Sequence, residues 1–245
     1  GWDAPGFSAR DWIAAQTLVC PKGAENARLV AQPNEPIRVT QELRPVKMTE
    51  PKPGVFVFDM GQNMVGWCRL KADAPAGTPV TVRYAEMLND DGTLYTANLR
   101  GAAQVNAYIW RGGEAALEPH FTYHGFRYAE VTGLPQRPAA DAVIGRVFHS
   151  DAPATGTFSC SDERLTKIMR CVEWTQNANL MSAPTDCPQR TEREGWMGDI
   201  LAFSQTAIFN RDMAGFFTKW IPDIRDSQAD DGRYPDVVPH VADPN

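Results

Sequence analysis

HSDAPATGTFSCSD, residues 149–162, separates two halves of the chain whose apolar residues recur at different intervals. Before this stretch, apolar residues tend to occupy every second position, and after it they recur at every third or fourth position. The first period is typical of strands with one buried face, and the second is typical of amphipathic helices. The sequence therefore predicts a β region followed by a helical region, with the boundary near residues 150–158.

The β half contains short runs rich in β-branched and aromatic residues, separated by clusters of Gly, Pro, Asn and Asp. In TPVTVRYAEM (78–87), Val80, Val82 and Tyr84 fall on one face of a strand. The Asp-Gly pair in NDDGTLY (89–95) is typical of a hairpin turn. The other runs are GVFVFDMG (54–61), QVNAYIWRGG (104–113) and HGFRYAEVTG (124–133). This pattern predicts an antiparallel β-sandwich.

The helical half carries two apolar stripes at helical spacing. The first contains Leu165, Ile168, Met169 and Val172, and Ser161 is its candidate N-cap. The second has Asp212 as its candidate cap and contains Phe216, Phe217, Trp220, Ile221 and Ile224. Pro222 lies inside the second stripe and is expected to kink or shorten that helix. Three or four helices are therefore expected before Asn245.

Composition restricts the partners. The 245 residues are 43% hydrophobic and carry a net charge of -6. The acidic balance and the lack of a basic run argue against nucleic acid and anionic membranes as partners. The five cysteines form neither a disulfide framework nor a CxxC metal site, and the four histidines show no HxH or HExxH spacing. No cofactor and no metal are expected.

The stretch PTDCPQRTEREGWMGD (184–199) gathers four carboxylates, two arginines and a tryptophan. Two prolines predict a loop at its start. If a helical turn follows, Glu192, Trp196 and Asp199 share one face at i, i+4 and i+7. Gly195 and Gly198 weaken such a helix, and they fit a place where a ligand or another backbone comes close.

These residue types suit a polar, hydroxyl-rich ligand. Carboxylates such as Asp186 and Asp199 accept hydrogen bonds from vicinal hydroxyls, and Trp196 offers an apolar face to a sugar ring. A carboxyl crowded by other carboxylates is pushed towards its protonated form, which a general acid requires, and Glu192 is the candidate. Arg190 could hold one of the acids ionised and oriented.

Other interpretations of this stretch stay open at this point. The charges could belong to a solvated helix start with surface ion pairs, since structural charge clusters are common. The acids could bind Ca²⁺, although the ordered alternation of an oxygen-donor loop is absent. Cys187 has no evident base beside it and is expected to be a buried thiol.

The same stretch resembles a family signature. TDCPQRTEREGWMGD (185–199) is similar to DCPQRDERxGWxGD of the bacterial α-L-rhamnosidases, family 78 of the glycoside hydrolases. Further segments resemble the same family in the same order: GWDAPGFSARDW (1–12), FDMGQNMVGW (58–67), AEMLNDDGTLYTANLRGAAQ (85–104), FTYHGFRYAEVTG (121–133), GTFSCSDERL (156–165) and DGRYPDVVPH (231–240). The resemblance covers nearly the whole chain.

The resemblance implies a function and residue roles. The family hydrolyses terminal α-L-rhamnosyl bonds with inversion, and its catalytic domain is an (α/α)6 barrel. Glu192 resembles the general acid, and four residues resemble those that contact rhamnose: Asp186, Arg190, Trp196 and Asp199. Thr191 stands where the family often has Asp, and Glu194 where an apolar residue is common. Neither departure falls on a residue with an assigned role.

The resemblance also implies a division of the chain. Residues 1–45 are expected to end an N-terminal β domain and its linker, 46–150 to form the β-sandwich, and 151–245 to start a truncated helical catalytic domain. An inverting glycosidase needs a second carboxylate about 6.5–9.5 Å from the acid. The family's base lies far downstream, so it is expected beyond residue 245, and the chain, which begins at Gly1, is expected to be a fragment. The alternative is a non-catalytic carbohydrate-binding β module with a helical extension, and an interaction scaffold ranks last.

Overall fold

The computed structural model of the chain describes residues 2, 4–17, 19 and 28–240. Cys20, the end of the predicted helical domain (241–245) and parts of the 1–12 segment lie outside the described residues. The chain divides into two compact units, Gly1–Ala31 and Gln32–Asn245. Among the described residues of the first unit there are turns but no helix or strand, and the rings of Phe7 and Trp12 meet edge to face at 5.4 Å.

The second unit begins with ten strands, all paired antiparallel. They are β1 (Ile37–Leu43), β2 (Lys47–Lys52), β3 (Val55–Ala74), β4 (Pro79–Ala85), β5 (Met87–Leu88), β6 (Leu94–Tyr95), β7 (Val105–Ile109), β8 (Gly113–Leu117), β9 (His124–Thr132) and β10 (Val143–Ser150). Eight of them form one sheet in the order β1-β10-β3-β9-β4-β7, with β2 and β8 also paired to β3. The remaining two, β5 and β6, form the hairpin predicted from the Asp-Gly pair.

The centre of the sheet is β3, whose 20 residues pair with four other strands. Its first residues lie between β2 and β9, and its last residues pair with β10 and β8. Alternate residues of the neighbouring strand β4, Val80, Val82 and Tyr84, are buried as predicted. The buried core of this unit is formed mainly by side chains of β3, β4 and β9. Each fully buried apolar side chain stabilises the fold by roughly 1.5–3 kcal/mol.

Three α-helices follow among the described residues: α1 (Glu163–Ala178), α2 (Met197–Asn210) and α3 (Ala214–Asp226). The N-cap of α1 is Asp162 and not Ser161, because Asp162 has extended backbone and its Oδ1 accepts a hydrogen bond from the Arg164 amide at 2.8 Å. The N-cap position of α3 is Met213, although Asp212 accepts a hydrogen bond from the Ala214 amide at 3.1 Å. The predicted helices exist, and their caps are shifted by one residue.

The stripe of α3 packs in part as predicted, since Phe216 and Trp220 are buried but Ile221 is 60% exposed. The helix continues to Asp226, so Pro222 does not end it. On α1 the predicted stripe is less covered, since Leu165 and Ile168 are exposed. None of the described helices is both long enough and apolar enough to span a membrane.

The predicted helical turn carrying Glu192, Trp196 and Asp199 on one face is wrong. No helix includes residues 186–195, and α2 begins only at Met197, with Trp196 as its N-cap residue. The backbone shows the reason: Arg193 has a positive φ of 58°, which a right-handed helix does not accommodate.

The broad prediction of an antiparallel β region followed by helices is confirmed by the strand pairing and the element order. The continuous sheet is curled around β3. Its description as a β-sandwich that precedes the first helices of an (α/α)6 barrel stays a prediction.

Candidate functional site

Residues 184–196, named here the motif loop, run directly over strand β9. A Cβ atom on Gly125 would lie 2.7 Å from Pro188 Cγ and 3.0 Å from Gln189 Cβ, so only glycine admits the loop at this distance. At the other end of the loop, a Cβ on Gly195 would lie 2.0 Å from the Val238 carbonyl oxygen. The expectation that Gly195 marks a close backbone approach is confirmed, whereas Gly198 has nothing within 4 Å.

Arg193 fastens the motif loop to the β half. Its Nη1 donates to the Tyr123 carbonyl at 2.9 Å, and its Nη2 donates to Gln104 Oε1 at 2.8 Å. Its guanidinium also lies 4.7 Å from the centre of the Tyr123 ring, within the range of a cation–π contact. Within the loop, Arg193 Nε donates to the Arg190 carbonyl at 3.1 Å. These contacts stabilise the left-handed backbone of Arg193.

A buried polar network lies behind Arg193. His124 Nδ1 is 2.7 Å from Gln104 Oε1, and Gln104 Nε2 donates to the Gly125 carbonyl at 3.1 Å. Burial, and secondly the charge of Arg193, lower the pKa of His124 to about 3, so the imidazole is neutral near pH 7. These contacts satisfy the buried imidazole, so the role of His124 is structural.

The centre of the motif loop is an ion-pair cluster built on Arg190. Its Nε donates to Glu192 Oε2 at 2.8 Å and its Nη2 to Asp186 Oδ2 at 3.3 Å. The other oxygen of Asp186, Oδ1, accepts a hydrogen bond from the Glu194 amide at 2.9 Å, and the Asp186 side chain is only 6% exposed. Burial lowers the pKa of Arg190, but the hydrogen bond to Glu192 and the nearby charges outweigh it and leave that pKa raised. Arg190 therefore holds both acids in place.

Glu192 has a second partner from the β half. Arg100 Nη1 donates to Glu192 Oε2 at 2.9 Å, and the Glu192 side chain is 22% exposed. The expectation that carboxylates crowd Glu192 holds only in part, because an Asp186 carboxylate oxygen lies within 4.8 Å of it but its direct partners are two guanidinium groups.

Three cavities adjoin the motif loop in the described structure, and Asp186 lines two of them. The first, of about 220 Å³, lies between α1, α2 and the loop, and both Asp186 and Asp199 line it. The second, of about 400 Å³, is lined by residues of the β half, of α1 and of the loop, including Glu86, Trp174 and Asp186. Asp186 therefore lines both of these cavities, although its side chain is only 6% exposed.

A metal site is less compatible with this geometry. One ligand atom each of Asp186, Cys187 and Glu192 lie within 4.8 Å of one another. Arg190 already contacts both carboxylates. Burial raises the pKa of the Cys187 thiol, which disfavours the thiolate that a metal would bind. The arrangement therefore favours an ion-pair cluster over a cation site, and Cys187 is buried as expected.

Comparison with known families agrees with the motif. The model of the bacterial α-L-rhamnosidase concanavalin-like domain matches residues 49–149, and that of the bacterial α-L-rhamnosidase six-hairpin glycosidase domain matches residues 153–245. This chain belongs to the bacterial α-L-rhamnosidase family. The resemblance inferred from the sequence motifs is confirmed.

Relatives of this rhamnosidase-family chain extend well beyond it. A curated α-L-rhamnosidase of Streptomyces avermitilis is 49% identical over 98% of the chain, which is 23% of that relative. The crystal structure of the Streptomyces avermitilis α-L-rhamnosidase complexed with L-rhamnose superposes with a TM-score of 0.89, covering 99% of this chain and 23% of that one at 49% identity. The native α-L-rhamnosidase of Aspergillus terreus gives a TM-score of 0.88 at 37% identity, covering 98% of this chain and 28% of that one. The chain spans about a quarter of the length of these relatives.

Within this rhamnosidase-family chain, the structure brings some predicted site residues together. Asp186, Arg190 and Glu192 form the ion-pair cluster, and Asp199 shares a cavity with Asp186. Trp196 is half-buried, and its backbone forms a bridge with Val237 at the start of α2. Among the described residues, no hydrogen bond joins Trp196 or Asp199 to Glu192.

Sequence reasoning missed two partners that the β half supplies, Arg100 and Gln104, and it missed the anchoring role of Arg193 within the motif loop. Nothing in the local pattern marks Arg100, because its contact is 92 residues away in sequence. One signal was available, since a glycine inside the run HGFRYAEVTG indicates a close approach of another chain segment.

Proposed function

We propose that this chain is the part of an α-L-rhamnosidase that carries the general acid and part of the rhamnose subsite. The protein hydrolyses terminal α-L-rhamnosyl bonds with inversion, and its substrate is a small molecule or glycan that bears terminal rhamnose. The observation that carries the proposal is the cluster in which Arg190 contacts both Asp186 and Glu192 beside a cavity that Asp199 also lines. The relative of known structure that is complexed with L-rhamnose supports the substrate class.

Glu192 is the general acid in this proposal. Both of its guanidinium partners bind Oε2, and no hydrogen bond in the described part of the chain engages Oε1. A proton on Oε1 is therefore available to the glycosidic oxygen. As the bond from C1 to that oxygen breaks, the oxygen takes the proton and Glu192 becomes a carboxylate. The charge that forms on Glu192 is stabilised by Arg190.

The proposed sugar contacts involve the first cavity, which Asp186 and Asp199 line. Asp186 and Asp199 accept hydrogen bonds from rhamnose hydroxyls, Arg190 orients Asp186, and Trp196 offers its ring to the C–H face of the sugar. Because hydrogen bonds to charged acceptors are strong, each carboxylate contributes more to sugar affinity than a neutral acceptor would.

The general base is proposed to lie outside residues 1–245. In the last part of the described chain, Asp223 is paired with Lys219 at 2.6 Å and Asp226 with Arg225 at 3.1 Å, whereas Asp230 and Asp236 form no ion pair with a described residue. We also retain the division into residues 1–45, 46–150 and 151–245. The ranges of the two family matches, 49–149 and 153–245, support its last two parts.

The first experiment uses the 245-residue chain itself. Hydrolysis of 4-nitrophenyl α-L-rhamnoside and calorimetric binding of L-rhamnose are measured for the chain and for Glu192→Gln. We expect binding without turnover, because the base is missing. Turnover by the chain that Glu192→Gln abolishes would place the base within these residues and refute that part of the proposal.

The second experiment restores the remainder of the enzyme. In a chimera, this chain replaces the matching segment of the Streptomyces avermitilis α-L-rhamnosidase. We expect Glu192→Gln to lower kcat of the chimera for an alkyl α-L-rhamnoside by about 10²–10⁴-fold, the usual contribution of general acid catalysis. Glu194→Gln is the matched control, two residues away, and should leave kcat within a few-fold. Equal activity of the two variants would rule out Glu192 as the acid.

A further inference from the structure

We infer that Arg100, contributed by the β half, is a positioning residue for Glu192 in rhamnoside hydrolysis. This inference rests on the function proposed above, in which Glu192 is the general acid. Arg100 acts through Glu192 and not on the sugar, and it couples the β half to the chemistry of the motif loop.

The first step of the argument is the backbone that presents Arg100. A 3-10 turn over Ala97–Leu99 ends at Arg100, whose φ of 50° and ψ of 35° are left-handed. Leu99 is 3% exposed and anchors the turn in the core, and Asn98 Nδ2 donates to Glu86 Oε2 at 3.1 Å. A left-handed arginine is uncommon and persists where surrounding contacts fix it. The turn is therefore a built support for the side chain that follows it.

The second step is that Arg100 meets the motif loop at two points. Its carbonyl accepts a hydrogen bond from Thr191 Oγ1 at 3.3 Å, and its Nη1 donates to Glu192 Oε2 at 2.9 Å. The backbone of Arg100 thus holds the residue before Glu192 while its side chain holds Glu192 itself. Thr191 is one of the two departures from the family motif, and this contact gives its hydroxyl a role.

The third step concerns the division of labour between the two arginines. Arg190 is shared between Asp186 and Glu192, whereas the carboxylate hydrogen bond of Arg100 in the described chain goes to Glu192 alone. Both donors bind Oε2, so the rotation of the carboxyl is fixed and Oε1 carries the transferable proton. Positioning of this kind raises the rate because a reacting group is held in its productive geometry.

The consequence depends on the leaving group. When the proton passes from Glu192 to the glycosidic oxygen, the bond from C1 breaks and leaves its electron pair on that oxygen, while water attacks C1 and gives a proton to the carboxylate that acts as base. An alkyl leaving group must be protonated to depart, whereas 4-nitrophenolate departs with little assistance. Loss of a residue that positions the acid therefore slows alkyl rhamnosides more than aryl rhamnosides.

The activity test compares Arg100→Met, Arg100→Lys and the control Arg44→Met in the chimera described above. Arg44 also lies in the β half, and its side chain is 73% exposed. We expect Arg100→Met to lower kcat for an alkyl α-L-rhamnoside by about 10-fold or more and kcat for the 4-nitrophenyl substrate by less than about 3-fold, with KM unchanged. Arg100→Lys should recover part of the loss, and Arg44→Met should change neither substrate.

Equal losses on both substrates, or a change confined to KM, would overturn the inference, because a merely structural role affects all substrates alike. An inactive parent chimera would refute the proposed function and, with it, the catalytic part of this inference.

A second measurement in the 245-residue chain separates the two failures. In a urea unfolding cycle, the double variant of Arg100→Met and Glu192→Gln should lower the midpoint by less than the sum of the single variants. Additive shifts would mean that the pair does not interact and would refute the inference whatever the chimera does.

Discussion

Replacing Arg193 by methionine tests whether the motif loop is held on the β half by this one side chain. The substitution removes a hydrogen bond to Gln104 Oε1 at 2.8 Å, two to backbone carbonyls at 2.9 and 3.1 Å, and the packing of the guanidinium on the Tyr123 ring at 4.7 Å. We assign about 1.5 kcal/mol to the charge-assisted bond to Gln104, about 0.5 kcal/mol to each carbonyl bond and about 0.5 kcal/mol to the ring contact. The expected decrease in the free energy of unfolding is about 3 kcal/mol.

Urea unfolding followed by tryptophan fluorescence measures this decrease in the 245-residue chain. The matched control is Arg233→Met, since Arg233 is 82% exposed and pairs with the nearby Asp231. Exposed pairs of this kind contribute about 0–1 kcal/mol, so the control should change stability little. The rhamnose affinity of Arg193→Met should also fall, because the loop carries Asp186. A decrease below about 1 kcal/mol in Arg193→Met would refute the anchoring role.

Three further predictions concern the same region. Because burial and the charge of Arg193 lower the pKa of His124 from 6.5 to about 3, neutral His124 contributes its full stabilisation above pH 6.5, and this stabilisation is lost as the pH falls towards 3. The free energy of unfolding should therefore change between pH 7.5 and pH 5.5 by about 1.4 kcal/mol more in the parent than in His124→Gln. An equal change in the two proteins would contradict this prediction. Gly125→Ala places a methyl group 2.7 Å from Pro188 Cγ and should lower the free energy of unfolding, measured in urea, by about 1–3 kcal/mol. Unchanged stability would mean that the motif loop is not packed against Gly125. Asp199→Asn should weaken L-rhamnose binding about 10-fold by calorimetry while leaving stability within about 0.5 kcal/mol, since Asp199 is exposed and lines a cavity; unchanged affinity would remove it from the subsite.

The elements that the sequence predicts well are those whose environment is set by near neighbours in the chain. The alternation in strand β4 predicts the burial of Val80 and Val82, and the period of the last helix predicts that of Trp220. In each case a single face of one element meets the core, so the period of the apolar residues is sufficient.

Three residues that the sequence singles out, Asp186, Arg190 and Glu192, lie together in the structure, but their geometry is not predicted from the sequence. The i, i+4, i+7 spacing of Glu192, Trp196 and Asp199 satisfies a helix, yet distant contacts override it. The Val238 carbonyl approaches Gly195, and the β half fixes Arg193 in a left-handed conformation. The pairing of Glu192 with Arg100 is not predicted for the same reason. Local spacing carries no information on contacts between distant segments of the chain.

The contacts of the motif loop with the β half also determine the order in which the site can form during synthesis. Arg193 reaches back 89 residues to Gln104, and Glu192 reaches back 92 residues to Arg100. Domains generally fold as they leave the ribosome, amino-terminal part first. The curled sheet is complete at Ser150, before the motif loop has been made. The contacts of Arg193 and Glu192 with the β half can therefore form only after the residues of the sheet have been made.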